Sequence, residues 1–317
     1  MRQILGWSLL FSLLTFSGCR KAADVWPDTG KKRVLVSFPP LYCFTKNVAG
    51  EDLEVRCLLT AQGPHDFTPR PNDVLMVQKA DLILINGLGL DEWITKMMGK
   101  SKATVIEVAE SIPSDQLKAM AEGDGQKHEG HDHKHGEHDP HVWLGPPQAK
   151  AMVATIAAKL GAIDPKNKKN YEERAEVYGK ELEKLLEHGK AAFKHKKSRN
   201  IIATHDSLQY FADAFGLKVV GNIQPRAGIE ADAKKLTGLV KICKDHEVNV
   251  IAVEPQYSKG PAEALKSQLG KLGVTVELVE IDPLETAPAA DNKAEPDPMY
   301  YMKRMYDNID NLAKALP

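Results

Sequence analysis

The residues of this chain best suited to chemistry are its histidines, 11 in all, six of them between His128 and His141. Imidazole is a good ligand for borderline cations such as Zn²⁺ and Cu²⁺, and the chain presents it in two arrangements. The first is a stretch, residues 122–138, that reads EGDGQKHEGHDHKHGEH and carries His128, His131, His133, His135 and His138. It contains no apolar side chain and has nothing to bury. Alternating imidazoles without a scaffold are expected to bind metal weakly, labilely and at several sites, as an accessory to any fixed centre. The second arrangement is dispersed. His65 stands in GPHDF, His141 in DPHVW and His205 in THDS, with carboxylates in VEPQ (Glu254) and IDP (Asp282). Three imidazoles and one carboxylate are a complete tetrahedral Zn²⁺ set. A hydrolytic centre would keep one position open for water, and no HExxH or Ser-His-Asp pattern accompanies these residues.

The dispersed set acquires meaning from the elements around it. Arg33–Ser37, Leu53–Leu59, Asp81–Ile85 and Thr104–Val108 are short β-branched runs that predict buried strands, with Leu41–Ala49 and Pro71–Lys79 as crossover helices. A second series begins at Asn200–Thr204 and continues through Lys218–Gly221, Asn249–Val253 and Val274–Ile281, with helices near 207–215, 232–246 and 261–271. Alternating β and α predicts parallel sheets covered by helices. Between the series, Tyr171, Ala175, Tyr178, Leu182, Leu185 and Phe193 recur at helical spacing. The fold expected is α/β: two parallel-sheet lobes joined by a single long rigid helix. The lobes are residues 33–164 and 195–317, the helix is 165–194, and Pro283–Pro298 is a loop before a last helix. In open α/β sheets ligands bind beyond the carboxyl ends of strands. His65, His205, Glu254 and Asp282 all fall there.

Composition removes several classes of function. Lys+Arg 42 against Asp+Glu 43 gives a net charge of -1, without the basic footprint of a nucleic-acid binder. Four cysteines do not make a disulfide scaffold, although a Cys43–Cys57 bridge is conceivable. At the N-terminus Arg2 precedes an uncharged apolar run that ends in Ser17-Gly18-Cys19. The run is too short to span a bilayer and fits a secretory signal. Cys19 at its end resembles the lipobox of bacterial lipoproteins, in which that cysteine is lipidated. Residues 1–19 are then a signal peptide, and residues 20–32 are a tether from membrane to fold.

The segments GPHDFTPRP, DPHVWLGP, THDSLQYFADAFGL and VIAVEPQYS, and the Ile281-Asp282-Pro283 corner, resemble in order and spacing the zinc/manganese solute-binding proteins of bacterial ABC transporters. The likeness is nearest to their zinc-uptake (ZnuA-type) branch and covers roughly residues 33–316. It implies two α/β lobes bridged by one helix, and a binding protein rather than an enzyme. On the family's pattern His65, His141, His205 and Asp282 are the metal ligands. Asp139, Asp206 and Glu254 would orient the ligands from behind. His at position 205 is the zinc branch's choice, where manganese members carry Glu. The implied function is a monomeric extracytoplasmic receptor, periplasmic or on the cell surface. It would be anchored in the membrane by lipid, deliver Zn²⁺ to an ABC permease and its ATPase subunit, and have no nucleic-acid partner. Manganese uptake and a zinc chaperone or buffer are the alternatives, with a metallohydrolase behind them.

Overall fold

A computed structural model describes residues 25–120, 138–225, 227–229, 231–290 and 295–317, the side chain of Asp66 excepted. The signal segment with Cys19, the start of the tether, and His128, His131, His133 and His135 lie outside the described residues. Two four-stranded sheets organise the chain, and every strand pairing in them is parallel. In the first the order is β2 (Glu54–Cys57), β1 (Arg33–Val36), β3 (Leu82–Ile85), β4 (Thr104–Glu107). In the second it is β6 (Lys218–Asn222), β5 (Asn200–Ala203), β7 (Val250–Val253), β8 (Glu277–Glu280). Helices α1 (Pro39–Ala49) and α2 (Pro71–Lys79) belong to the first lobe. Helices α5 (Gln209–Phe215), α6 (Ala233–Asp245) and α7 (Gly260–Lys271) belong to the second.

The joining helix is α4, Lys168–Phe193, preceded by a single 3₁₀ turn. Its 26 residues span about 39 Å. It is no free-standing strut, because it packs on α1, on α5, and on two further helices, α3 (Pro146–Ile163) and α8 (Tyr300–Ala315). Arg174 of α4 donates to the carbonyls of Val48 and Ala49 at 2.9 and 2.5 Å and pairs with Asp52. One guanidinium thus satisfies carbonyls that the end of α1 leaves without partners. Helix α3 has no counterpart among the elements expected from the sequence. Its core, AMVATIAAKLGAI, is apolar around most of its circumference, so it shows no stripe to mark it as a helix.

The apolar interior does not stop at the lobe boundary. Strands β5 and β7 alternate faces with period two. Ile201, Ala203, Val250 and Ala252 join a cluster that runs through Phe193, Tyr171, Trp143 and Tyr301 into β1 and β3. Ile202, Ile251 and Val253 face the other way, onto Leu239 of α6 and Leu265 of α7. One side of the second sheet is therefore core shared with the first lobe. Beyond β8 the chain crosses back: Ala287 donates to the carbonyl of Thr60, and Glu295 accepts from Arg56 and from the backbone of Cys57. Cys43, Cys57 and Cys243 are buried and unbridged. Among the described residues no helix is long and apolar enough to cross a membrane.

The packing of α4 on α5 makes a testable asymmetry between two helical glycines. A Cβ on Gly189 would stand 2.3 Å from the buried ring of Phe215, whereas one on Gly238 of α6 would meet nothing within 4 Å. Gly238→Ala is expected to stabilise by about 0.5–1 kcal/mol. Gly189→Ala is expected to destabilise by about 1–3 kcal/mol despite the better helix former. Denaturant unfolding of both variants checks the opposite signs.

Candidate metal centre

The carboxyl ends of the two sheets face each other, and the turns leaving them build one cluster. His65 lies in the 3₁₀ turn Pro64–Asp66 that follows β2. Trp93 steadies that turn by donating to the Pro64 carbonyl at 3.2 Å and stacking on Phe67. His141 lies in the turn before α3. Its backbone and its Nδ1 both meet Asp139 Oδ1, at 2.9 and 2.7 Å, and Asn86 at the end of β3 donates to the neighbouring Pro140 carbonyl at 3.0 Å. Asn86 is itself fixed by buried Asp91, which accepts from the hydroxyl of Ser37 and the backbone of Asn86 and Gly87. Burial pushes the Asp91 carboxyl up to about 7, although its three donors resist.

His205 lies two residues past β5, and Glu254 follows β7 directly. These strands are neighbours in one parallel sheet, so the two residues sit side by side. His205 Nδ1 lies 2.8 and 2.9 Å from the Glu254 oxygens, which also accept from Ser207 and Gln256. A carboxylate behind Nδ1 holds the proton there and turns the Nε2 lone pair forward. Asp139 does this for His141, and Glu254 does it for His205. Asp206 is engaged elsewhere, accepting from Gln209 and Asn222. His138 pairs with Ala119 in an isolated antiparallel bridge and is not one of the four converging groups.

The fourth converging group is not Asp282. The cluster consists of His65, His141, His205 and Glu285, each offering one donor atom. The Asp282 carboxylate is turned back into its own lobe, where it accepts from Tyr300 at 2.7 Å and from the Leu284 backbone at 2.8 Å, with Arg304 3.5 Å away. Its backbone is gripped at both ends by Asn308. Pro283 and Leu284, the latter at φ 63, then turn the chain so that the next carboxylate enters the site. Strand-end reasoning stops at the first acid after β8 and misses this turn. The only sequence signal for it was a second acid three residues later, beyond a proline.

The geometry is specific. His141 Nε2 lies 3.3 Å from His65 Nε2 and 3.4 Å from His205 Nε2. Glu285 Oε1 lies 3.3 Å from His65 and 3.4 Å from each of the other two. A tetrahedron whose ligands stand about 2.0–2.1 Å from its centre has edges of about 3.3–3.4 Å. Five of the six separations among the four atoms therefore match a zinc tetrahedron, and all four atoms lie within 4.8 Å of one another. Glu285 Oε1 is buried and, among the described residues, has no hydrogen-bond donor in good geometry, as expected of an atom suited to ligate a cation. Gly63 leaves room for it, since a Cβ there would stand 3.1 Å from Glu285 Oε2.

The electrostatics follow from the same contacts. Burial opposes charge on His141, but Asp139 and Glu285 overcome it and hold the ring at about 9. Burial opposes charge on His205 too, and Glu254 with Glu285 raises it well above an ordinary imidazole. Burial alone would raise Glu285, yet the three facing imidazoles hold it well below the ordinary carboxylate range.

These shifts set a pH dependence. The folded value of His141, about 9, lies above the roughly 6.5 of a free imidazole. Its protonation therefore stabilises the metal-free fold fully below about pH 6.5, and that contribution is lost as pH rises through about 9. A metal needs the deprotonated ring. Zinc affinity, and the rise in Tm on adding zinc, should both increase from about pH 6 to about pH 9. Calorimetry in buffers of different ionisation heat should show protons released on binding near neutral pH. An affinity that stays flat across this window would remove His141 from the site.

Comparison with known proteins agrees with this architecture. A family model described as zinc-uptake complex component A, periplasmic, matches residues 34–315. The chain is 30% identical over 320 residues to the high-affinity zinc uptake system protein ZnuA of Bacillus subtilis strain 168, covering 97% of this chain and 94% of that one. It is 29% identical to the zinc-binding lipoprotein AdcA of Streptococcus pneumoniae R6, with 90% of this chain matched to 56% of AdcA, a little over half that protein's length. The Zn(II)-bound structure of an AdcAII variant from Streptococcus pneumoniae superposes with a TM-score of 0.76 at 27% identity, covering 91% of this chain and 100% of that one. With a family model spanning nearly all of the described fold, this chain belongs to the zinc-uptake complex component A family.

Proposed function

We propose that the protein is an extracytoplasmic receptor that binds Zn²⁺ with high affinity and delivers it to an ABC importer, using Nε2 of His65, His141 and His205 and a carboxylate oxygen of Glu285 as ligands. The observation that carries this reading is the convergence of three imidazoles and one carboxylate, with five donor–donor separations of 3.3–3.4 Å, the edge length of a zinc tetrahedron. That donor set suits Zn²⁺, whereas Mn²⁺ favours oxygen-rich sites. All four corners belong to the protein, so no position remains for a catalytic water. Relatives named for zinc uptake and zinc binding support the same cargo. Partners on this reading are a permease and its ATPase subunit, and lipidated Cys19 ties a monomeric receptor to the membrane.

Asp139 and Glu254 keep two of the rings aimed, and Asp282 shapes the turn that carries Glu285. The reading separates the two acids of the IDPLE corner. Glu285→Gln is expected to weaken zinc binding by at least about 100-fold, since even groups behind a ligand cost about 10–100-fold. Asp282→Asn should cost clearly less. Chelator competition on both variants tests the assignment, and the reverse order would return the fourth position to Asp282.

The imidazole-rich stretch serves the receptor as an accessory binder of further, weaker zinc. Deletion of Gly123–Glu137, which spares the His138 pairing with Ala119, should leave one tight equivalent and remove the weak ones. Calorimetric titration of both proteins reads the stoichiometry. Loss of the tight equivalent would place the receptor site in that stretch instead.

A further inference from the structure

Three of the four groups in the cluster, His65, His141 and Glu285, are carried by turns beyond the strands, and the last two of these turns share one clamp. His141 lies in the irregular segment before α3, and Glu285 lies five residues past the end of β8. Leu284, between Pro283 and Glu285, is at φ 63, a conformation that is strained for a non-glycine residue and persists only when its surroundings fix it. One side chain touches both turns. Trp143, fully buried, donates its indole N–H to the Pro283 carbonyl at 2.8 Å. Its ring lies 5.2 Å from that of His141, on the same turn, and packs edge-on to Phe38 of the strand β1 exit at 4.7 Å. Its own carbonyl accepts from the hydroxyl of Tyr301 at 2.7 Å. Tyr301 lies in α8, the helix whose Asn308 grips Asp282 at both its N–H and its carbonyl. The contacts close a circuit: the His141 turn to Pro283 through Trp143, the Glu285 turn to α8 through Asn308, and α8 back to the His141 turn through Tyr301.

We propose that Trp143 is a positioning residue for the cargo ion, setting the Glu285 carboxylate against His141 through the Pro283 carbonyl. This rests on the reading that Glu285 is a ligand. Trp143 offers no donor atom to a metal and acts only through the turn it holds. A zinc shell tolerates errors of about 0.2 Å in ligand position. A turn freed from its indole clamp would relax its left-handed residue and carry Glu285 out of register. Trp143→Phe keeps an aromatic ring in the pocket but removes the N–H together with part of the ring, so comparison across the Glu285→Gln background is what separates the lost clamp from the lost packing.

The test is a double-mutant cycle on the full mature chain, with zinc affinity read by chelator competition and folding of each metal-free variant checked by near-ultraviolet circular dichroism. Trp143→Phe is expected to weaken zinc about 10–100-fold, the range for groups that support a ligand. In a Glu285→Gln background the same change should cost less than about threefold, because the group it positions is already gone. Tyr301→Phe should show a smaller loss that disappears in the same background, and it carries the test alone if Trp143→Phe does not fold. Equal losses in both backgrounds, or no loss in either, would overturn the positioning role. If Glu285→Gln by itself left zinc affinity unchanged, the ligand assignment would fall first and this inference with it.

Discussion

Four donor atoms pointed at one another, three of them on buried side chains and five of their separations at 3.3–3.4 Å, are the constraint around which this protein is built. Lone pairs converging on a shared point have no attraction to hold them there without a cation or protons. Their positions must be enforced from behind. Two rings are enforced by carboxylates, His141 by Asp139 and His205 by Glu254. Glu285 is enforced by the turn that carries it. His65 is the most exposed of the four and is held through the backbone of its turn. The stored opposition of these groups is what a divalent ion relieves, so metal binding and local order are one event.

Holding atoms to tenths of an ångström across two lobes requires that the lobes not move freely. The shared core meets this requirement. One face of the second sheet, with Ile201, Ala203, Val250 and Ala252, belongs to the same apolar cluster as β1 and β3. Close packing resists displacement, and α4 is embedded in that cluster through Tyr171, Leu182, Leu185 and Phe193. Additional ties cross the boundary on two sides. Tyr210 of α5 bonds to the carbonyl of Asp139 and the N–H of Lys118, and the segment after β8 bonds to Thr60, Arg56 and Cys57. With the lobes stitched in this way, wide separation about a hinge is disfavoured.

The acids around the site divide their labour by what lies near each. Asp139 and Glu254 meet a ring nitrogen and polarise it. Asp282 meets Tyr300, Arg304 and a backbone N–H, and it is spent on shaping a corner. Glu285 meets three imidazoles, and its Oε1 finds no hydrogen-bond donor of good geometry among the described residues, which leaves a lone pair aimed into the cluster. Chemically equivalent side chains therefore do different work, and only their neighbours distinguish them.

Much of this was legible in the sequence. Short β-branched runs followed by helical stretches announce parallel α/β lobes, because a buried parallel strand needs a crossover before the next. A strand-end rule places His65, His205 and Glu254 at one edge, because parallel strands bring all their carboxyl ends to the same side. The spaced Tyr and Leu residues of 171–193 mark the long helix. What the sequence could not express is anything decided by contact between distant segments. Helix α3 is hidden because burial on nearly every side erases the periodicity by which a helix is recognised. Whether Asp282 or Glu285 enters the site depends on Asn308 and Tyr300 of α8 and on Trp143 of the other lobe, residues with no local relation to the IDPLE corner. A linear pattern identifies a carboxylate near the right strand end. The choice between two carboxylates three residues apart is made by a left-handed turn, and only the packed tertiary structure fixes its direction.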